Sequence, residues 1–416
     1  MNLLSVNRIV AALVFIPVLL TNIYATDVYI KLTAHGQRIN IGLANLPKEI
    51  QTVVRQDLLF TRYFNIIPSE MPFSGKKEEL VEWQKQNADV LLTASLNITG
   101  SNSELSAKMY DANTGKIIFN KSFTDRENDW RKLAHELSDE IVLRFTGENG
   151  IAHTKIVFAN DGTGNKEVYT VDYDGYNLKR ITDDKSINLF PKFSPDGKQI
   201  IFTTYKYGNP DLYIMNPDGR KKKSLSTYQG LNTPANWSPN GKEIVLTLSK
   251  GSLPDIYRLN LEGEIIKRVT FGKCINTSPN FSPNEREIIF VSNRSGSPQL
   301  HVSDINGTNV RRITTEGYSD SPDWSPRGDK IVFSMRIPGG DEFNIFIYDI
   351  TAGKYYPLTH SSGSNENPCF SPDGRFIVFS STRNKHRELF MMFVDGTGQR
   401  RVCDIKGNSF MPHWSN

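Results

Sequence analysis

From about residue 150 onward the chain runs in short stretches where apolar and polar residues alternate, broken at regular intervals by Pro, Asn, Asp and Gly. A period of two marks half-buried β-strands, and the breakers mark the turns between them. An aromatic residue followed by serine recurs at Phe193, Trp237, Phe281, Trp324, Phe370 and Trp414, at steps of 44, 44, 43, 46 and 44 residues. Five of the six open a strand, turn and strand signal: FSPDGKQIIF, WSPNGKEIVL, FSPNEREIIF, WSPRGDKIVF and FSPDGRFIVF. A second landmark keeps the same phase, in which apolar strands run up to Gly175, Gly219, Gly263, Gly307, Gly353 and Gly396 and a further short strand follows. Four strands per period of this length predict a propeller blade, and residues 151–416 hold six of them.

The same inventory predicts how the ring closes. Lys155-Ile156-Val157-Phe158 starts a blade that lacks an aromatic-Ser strand, whereas Met411 to Ser415 has the pattern of an innermost strand with nothing after it to pair with. Joining the two removes both open sheet edges. The repeated aromatics are then expected between neighbouring blades, where full burial contributes about 1.5–3 kcal/mol per side chain.

Residues 26–150 carry no repeat and mix both periods, which predicts an α/β domain. Strands are expected at 38–44, 63–67, 89–98, 104–111 and 116–123, and helices at 47–61, 76–86 and 127–145. Ahead of them, in an extended segment spanning 26–37, Val28, Ile30 and Leu32 alternate with Tyr29 and Lys31. Such a strand can pair within its own domain or add itself to the sheet edge of another protein. Residues 1–25 have the build of a secretory signal peptide: Arg8, an uncharged run over 9–20, and Ala25 at the expected cleavage position. That run is shorter than the roughly 20 apolar residues of a transmembrane helix.

Charge and chemistry narrow the function by exclusion. Lys and Arg number 49 against 45 Asp and Glu, a balance that offers no field to attract nucleic acid. Three cysteines, Cys274, Cys369 and Cys403, do not make a disulfide framework. The chain has no Gly-x-Ser-x-Gly elbow, no Gly-rich phosphate loop and no His-Glu-x-x-His, and its seven histidines are isolated. No cofactor, metal site or catalytic residue is therefore predicted. A propeller-type hydrolase, or the accessory domain of a prolyl-peptidase-like enzyme, stands as the rival reading. It would need a hydrolase domain, and residues 26–150 hold no nucleophile elbow.

Function is then expected on the loops that enter the innermost strands, which converge on one face around a funnel. They carry Leu231, Asn232 and Thr233; Asn276, Thr277 and Ser278; Asp320; and Asn365 and Glu366. Arg294 and Arg383 open on the same face. Amides, hydroxyls, two acids and several cations predict a polar protein or peptide ligand.

The leader, the α/β domain and six repeats of the WSPDGKxIxF and LYxMNxDG kind resemble the TolB family along the whole chain. DYDGYN at 172–177, LSKGSL at 248–253 and Pro298-Gln299 after Arg294 are similar to stretches typical of it. The resemblance implies a periplasmic component of the Tol-Pal system, which maintains outer-membrane integrity and envelope constriction during cell division. It implies two protein partners. The lipoprotein Pal would dock in the funnel around Leu231, Asn232 and Thr277, where the family commonly has histidine in place of Leu231. TolA would recognise the mature N-terminus, here Thr26, Asp27, Val28, Tyr29, Ile30, Lys31 and Leu32.

Overall fold

The computed structural model describes residues 36–416 except 69–70 and 251–252. The predicted leader and the segment from Thr26 to Leu32 lie outside the described residues. The chain divides into two compact units, one running to Trp130 with Arg144–Gly147, the other made of Arg131–Leu143 with Glu148–Asn416. Among the described residues no helix is long and apolar enough to cross a membrane.

The first unit is built on a five-stranded mixed sheet. Its elements are β1 (Ile39–Ala44), α1 (Lys48–Phe60), β2 (Phe64–Ile66), α2 (Lys77–Lys85), β3 (Val90–Thr99), β4 (Asn102–Asp111) and β5 (Ile117–Asp125), followed by α3 (Trp130–Thr146). The strand order is β2-β1-β3-β4-β5, with β1 parallel to both neighbours and β3, β4 and β5 antiparallel. Each element lies within three residues of the position that periodicity predicts. α1 buries Ile50, Val53, Val54 and Leu58, the apolar stripe of a 3.6-residue period. Gly42 in β1 has no room for a side chain, since a Cβ there would stand 2.7 Å from the buried Trp83 ring.

Residues 155–414 form six four-stranded antiparallel sheets, and the strands at 409–414, 188–193, 232–237, 276–281, 318–324 and 365–370 neighbour one another in that order around the axis. These are the inner strands of blades 1 to 6. Blade 1 is the split blade: Trp414 pairs with Ile156 and Ser409 with Asn160. The repeated aromatics lie where blade meets blade. Trp237, for example, packs with Ile201 and Leu212 of blade 2 and with Ile244 and Leu246 of its own blade.

The repeat motifs have direct physical causes. In FSPDGKQ the Ser194 hydroxyl donates to Asp196 at 2.6 Å and accepts the N–H of Gln199, closing the turn from inside. The same bonds recur at Ser238, Ser282 and Ser371. The second landmark needs glycine because its turn rests on the preceding blade. At Gly307, φ is +86° and an added Cβ would lie 1.9 Å from the Val269 carbonyl oxygen. Gly353 is the exception: its turn is one residue longer, and no atom lies within 4 Å except the Tyr348 hydroxyl at that limit.

Candidate functional site

Antiparallel register decides which loops share a face. The start of each inner strand pairs with the end of the second, as in Asn188 with Thr204, Asn276 with Ser292 and Asn365 with Ser381. The loops entering the inner strands and those leaving the second strands therefore open together, forming the funnel mouth.

In four blades an asparagine at the first residue of the inner strand locks this mouth. Asn188, Asn232, Asn276 and Asn365 are all 0% exposed. The Asn232 amide donates to the carbonyls of Pro210, Tyr228 and Gly230, and its oxygen accepts from Ser226 and the Tyr228 N–H. Asn276 donates to the buried Asp255 at 2.9 Å, and Asn365 to Gly363 O at 2.7 Å. The two predicted cations serve these locks. Arg294 donates to Asn276 Oδ1 and Ser292 Oγ, and Arg383 makes the equivalent pair of bonds to Asn365 and Ser381. These five of the expected site residues, Asn232, Asn276, Asn365, Arg294 and Arg383, thus have their bonding directed into the scaffold.

The next two positions build the funnel wall. Every inner strand slips register there, a bulge that re-aims side chains. The residue three places before the repeated aromatic is left-handed in five blades, at Phe190, Ser278, Ser321, Asn367 and Met411, with φ between +50° and +53°. In blade 3 it is Pro234. A left-handed Phe or Met is a costly backbone state that persists only where its surroundings impose it.

The wall has two unlike halves. Blades 1 to 3 contribute Phe410 and Met411, Leu189 and Phe190, and Thr233 and Pro234, whereas blades 4 to 6 contribute Thr277 and Ser278, Asp320 and Ser321, and Glu366 and Asn367. The polar half is cross-linked between blades: Ser278 donates to Asp320 at 2.9 Å and Asn367 to Ser321 at 3.0 Å. Burial, with Glu366 nearby, pushes the Asp320 carboxyl above the usual range, while the Ser321 N–H and the Ser278 hydroxyl pull it back. Glu366 is held by Arg387 at 2.8 Å, and that guanidinium also sits over the Phe410 ring. Around the mouth, Ile187, Tyr207, Leu253, Phe271, Ile275 and Ile337 are exposed on entering or leaving loops. Beside the expected amides, hydroxyls, acids and cations, part of the wall and part of the rim are apolar.

Of the remaining expected residues, Leu231, Thr277, Ser278, Asp320 and Glu366 are partly open, and Thr233 is buried with its hydroxyl unpaired. Sequence reasoning missed Arg387 and the inner-strand position just before the repeated aromatic, hereafter the fifth position, which holds Lys192, Asn236, Asn280, Asp323, Cys369 and His413. The signal was present, because that position is never aliphatic or aromatic although its neighbours are buried. Cys369 is a buried free thiol, and burial holds it well above the usual cysteine range.

Fold and funnel together define a closed six-bladed β-propeller with a loop-built funnel on one face, preceded by a small α/β unit. The family described as the TolB beta propeller domain matches residues 142–416, and the chain belongs to that family. It is 37% identical over 206 residues to the Tol-Pal system protein TolB of Geobacter sulfurreducens, covering 45% of this chain and 48% of that protein. With the protein of the same name from Geobacter metallireducens it shares 43% identity over 122 residues, 29% and 28% of the two chains. The alignments thus span about half the length of these relatives or less. The crystal structure of TolB from Acinetobacter baumannii superposes over 91% of this chain and 97% of that one with a TM-score of 0.77 at 24% identity, a likeness of fold.

Proposed function

We propose that this chain is a non-catalytic, periplasmic protein-binding component of the Tol-Pal system, in which the funnel receives the outer-membrane lipoprotein Pal and residues 26–32 are the segment recognised by TolA. Through these two contacts it would support outer-membrane integrity and envelope constriction during division. The names of its relatives, Tol-Pal system protein TolB, support the reading. The observation that carries it is the divided wall, in which Met411, Phe190 and Pro234 of blades 1 to 3 and Ser278, Ser321 and Asn367 of blades 4 to 6 line one central pocket. A surface with apolar anchors on one side and directed hydrogen-bonding groups on the other matches a folded protein or peptide better than a small apolar molecule.

Affinity capture of envelope lipoproteins by the full chain tests the reading. Pal is expected among the bound proteins, and Thr277→Trp, which fills a partly open wall position, is expected to weaken its capture at least about tenfold without loss of fold. Failure to retain any outer-membrane lipoprotein would remove the proposal. Deletion of residues 26–32 is expected to abolish TolA binding and leave Pal capture intact.

A further inference from the structure

The fifth residues of the inner strands form a ring at the waist of the propeller, below the funnel. On blades 4 to 6 the ring satisfies itself. Asn280 donates its amide to Asp323 Oδ1 at 2.6 Å, the Phe370 N–H donates to Asp323 Oδ2 at 2.8 Å, and Cys369 donates to the carbonyl of Phe370. On blades 1 to 3 it does not. The Lys192 ammonium has no hydrogen-bond or ion-pair partner among the described residues, although the side chain lines the pocket at the base of the funnel. Asn236 uses its oxygen to accept the Trp237 N–H, which leaves the amide as an unused donor. His413 accepts the Phe193 N–H at Nδ1 (3.3 Å), so the neutral ring carries its proton on Nε2, also unused. Burial and the neighbouring Lys192 keep that ring neutral by holding its pKa well below the ordinary histidine value.

Three consecutive inner strands therefore bring an ammonium, an imidazole N–H and a carboxamide N–H to one side of the channel with no acceptor among the described residues. Lys192 opens to the funnel side, Asn236 lines the chamber below and His413 lines both. Blades 2 and 5 are three places apart in a ring of six, so the Asp323 carboxylate faces Lys192 from the far wall. Burial pushes the Lys192 ammonium below the usual lysine range; Asp323 opposes that shift, but its oxygens are already bonded to blades 4 and 6. A desolvated ammonium without acceptors is costly, and the cost is recovered when an oxyanion supplies them.

We propose that this side of the waist is an oxyanion-binding subsite, in which Lys192, assisted by His413 Nε2–H and Asn236 Nδ2, receives a carboxylate or phosphate group entering from the funnel. The subsite stands on the waist geometry alone and does not depend on which protein occupies the funnel. Phosphate and carboxylate share the required chemistry. One would come from a free anion, the other from an acidic group of a docked polypeptide.

The test is calorimetric titration and thermal denaturation of the full chain with sodium phosphate and with sodium acetate, each against sodium chloride at matched ionic strength. At least one of the two anions is expected to bind and raise the melting temperature. Lys192→Met is expected to weaken that binding at least about tenfold, the scale of one charge-assisted hydrogen bond. Lys192→Gln keeps a donor without the charge and should fall between, which provides a second reading if the methionine variant folds poorly. A preference for acetate assigns the subsite to a polypeptide carboxylate, and a preference for phosphate assigns it to the free anion. Binding of neither anion to the wild-type chain, or equal binding by wild type and both variants, overturns the proposal.

Discussion

The Trp414 indole N–H donates to Thr154 Oγ1 at 2.7 Å, joining two buried side chains 260 residues apart. This bond, with Ser415 N–H to Lys155 O and Lys155 N–H to Ser415 Oγ, both at 2.8 Å, clasps the last inner strand to the start of the first blade. Trp414→Ala is expected to cost about 3–5 kcal/mol, the range for emptying a buried aromatic site. Trp414→Phe keeps most of the packing and should cost about 1 kcal/mol for the lost bond. Deleting residues 411–416 exposes two sheet edges. A truncated chain that melted at the wild-type temperature would show that the clasp does not hold the ring.

Two glycines at equivalent places in the repeat should respond differently to alanine. At Gly307 the new Cβ meets the Val269 carbonyl, so Gly307→Ala is expected to destabilise by at least about 3 kcal/mol. Gly353→Ala meets no backbone and pays only for its left-handed conformation, about 1–2 kcal/mol. Chemical denaturation of the two variants side by side gives the comparison. Equal losses would mean that the contact between blades is unimportant.

The lock residues and the wall residues of the funnel separate stability from binding. Asn276→Ala removes the donor to buried Asp255 and the acceptor of Arg294, and should cost about 2–3 kcal/mol of stability. The hydroxyl of Thr277, the next residue, bonds among the described residues only to Ser278 at 3.4 Å, so Thr277→Ala should leave the melting temperature within about two degrees of wild type. The opposite order in a thermal melt would contradict the division of roles drawn from burial.

Two histidines should bend the pH–stability curve in opposite directions. His153 is bonded to Asp139 at 2.5 Å, and that bond raises its pKa above the ordinary value. Its contribution is fully present below about pH 6.5, the unfolded value, and fades as pH rises through the folded one. Half-exposure of the ring keeps the contribution small. His413, lowered by burial, contributes stability above about pH 6.5 that is lost as pH falls toward its folded value. Against wild type, His153→Gln should lose stability mainly at acid pH, whereas His413→Gln should make stability less sensitive to acid. Parallel denaturant titrations from pH 5 to 8 measure both, and identical profiles for the two variants would refute the assignment.

Much of this architecture was legible along the chain because each motif does its work locally. The Ser-Pro-Asx-Gly turn closes on its own serine, the period of two marks strands with one buried face, and six copies in phase count the blades. The split blade was legible for the same reason, since an innermost strand without successors implies a partner elsewhere. In the α/β unit the 3.6-residue stripe placed α1 directly.

The funnel was legible only as a set of loops. Which residues face inward depends on a bulge and a left-handed residue that no single blade announces, and whether a polar side chain is free depends on how its loop folds back and on partners up to 22 residues away. Asn232 and Thr277 look equally available in the sequence, yet one is fully buried in its own loop and the other stands on the wall. Lys192 shows the same division. Its residue type and its place in the repeat were determined by the sequence, but only the closed ring put it beside His413 and Asn236 and opposite a carboxylate already bonded elsewhere. Local turns and periods are written in neighbouring residues, whereas the balance of donors and acceptors in the channel depends on strands brought together by closure of the propeller.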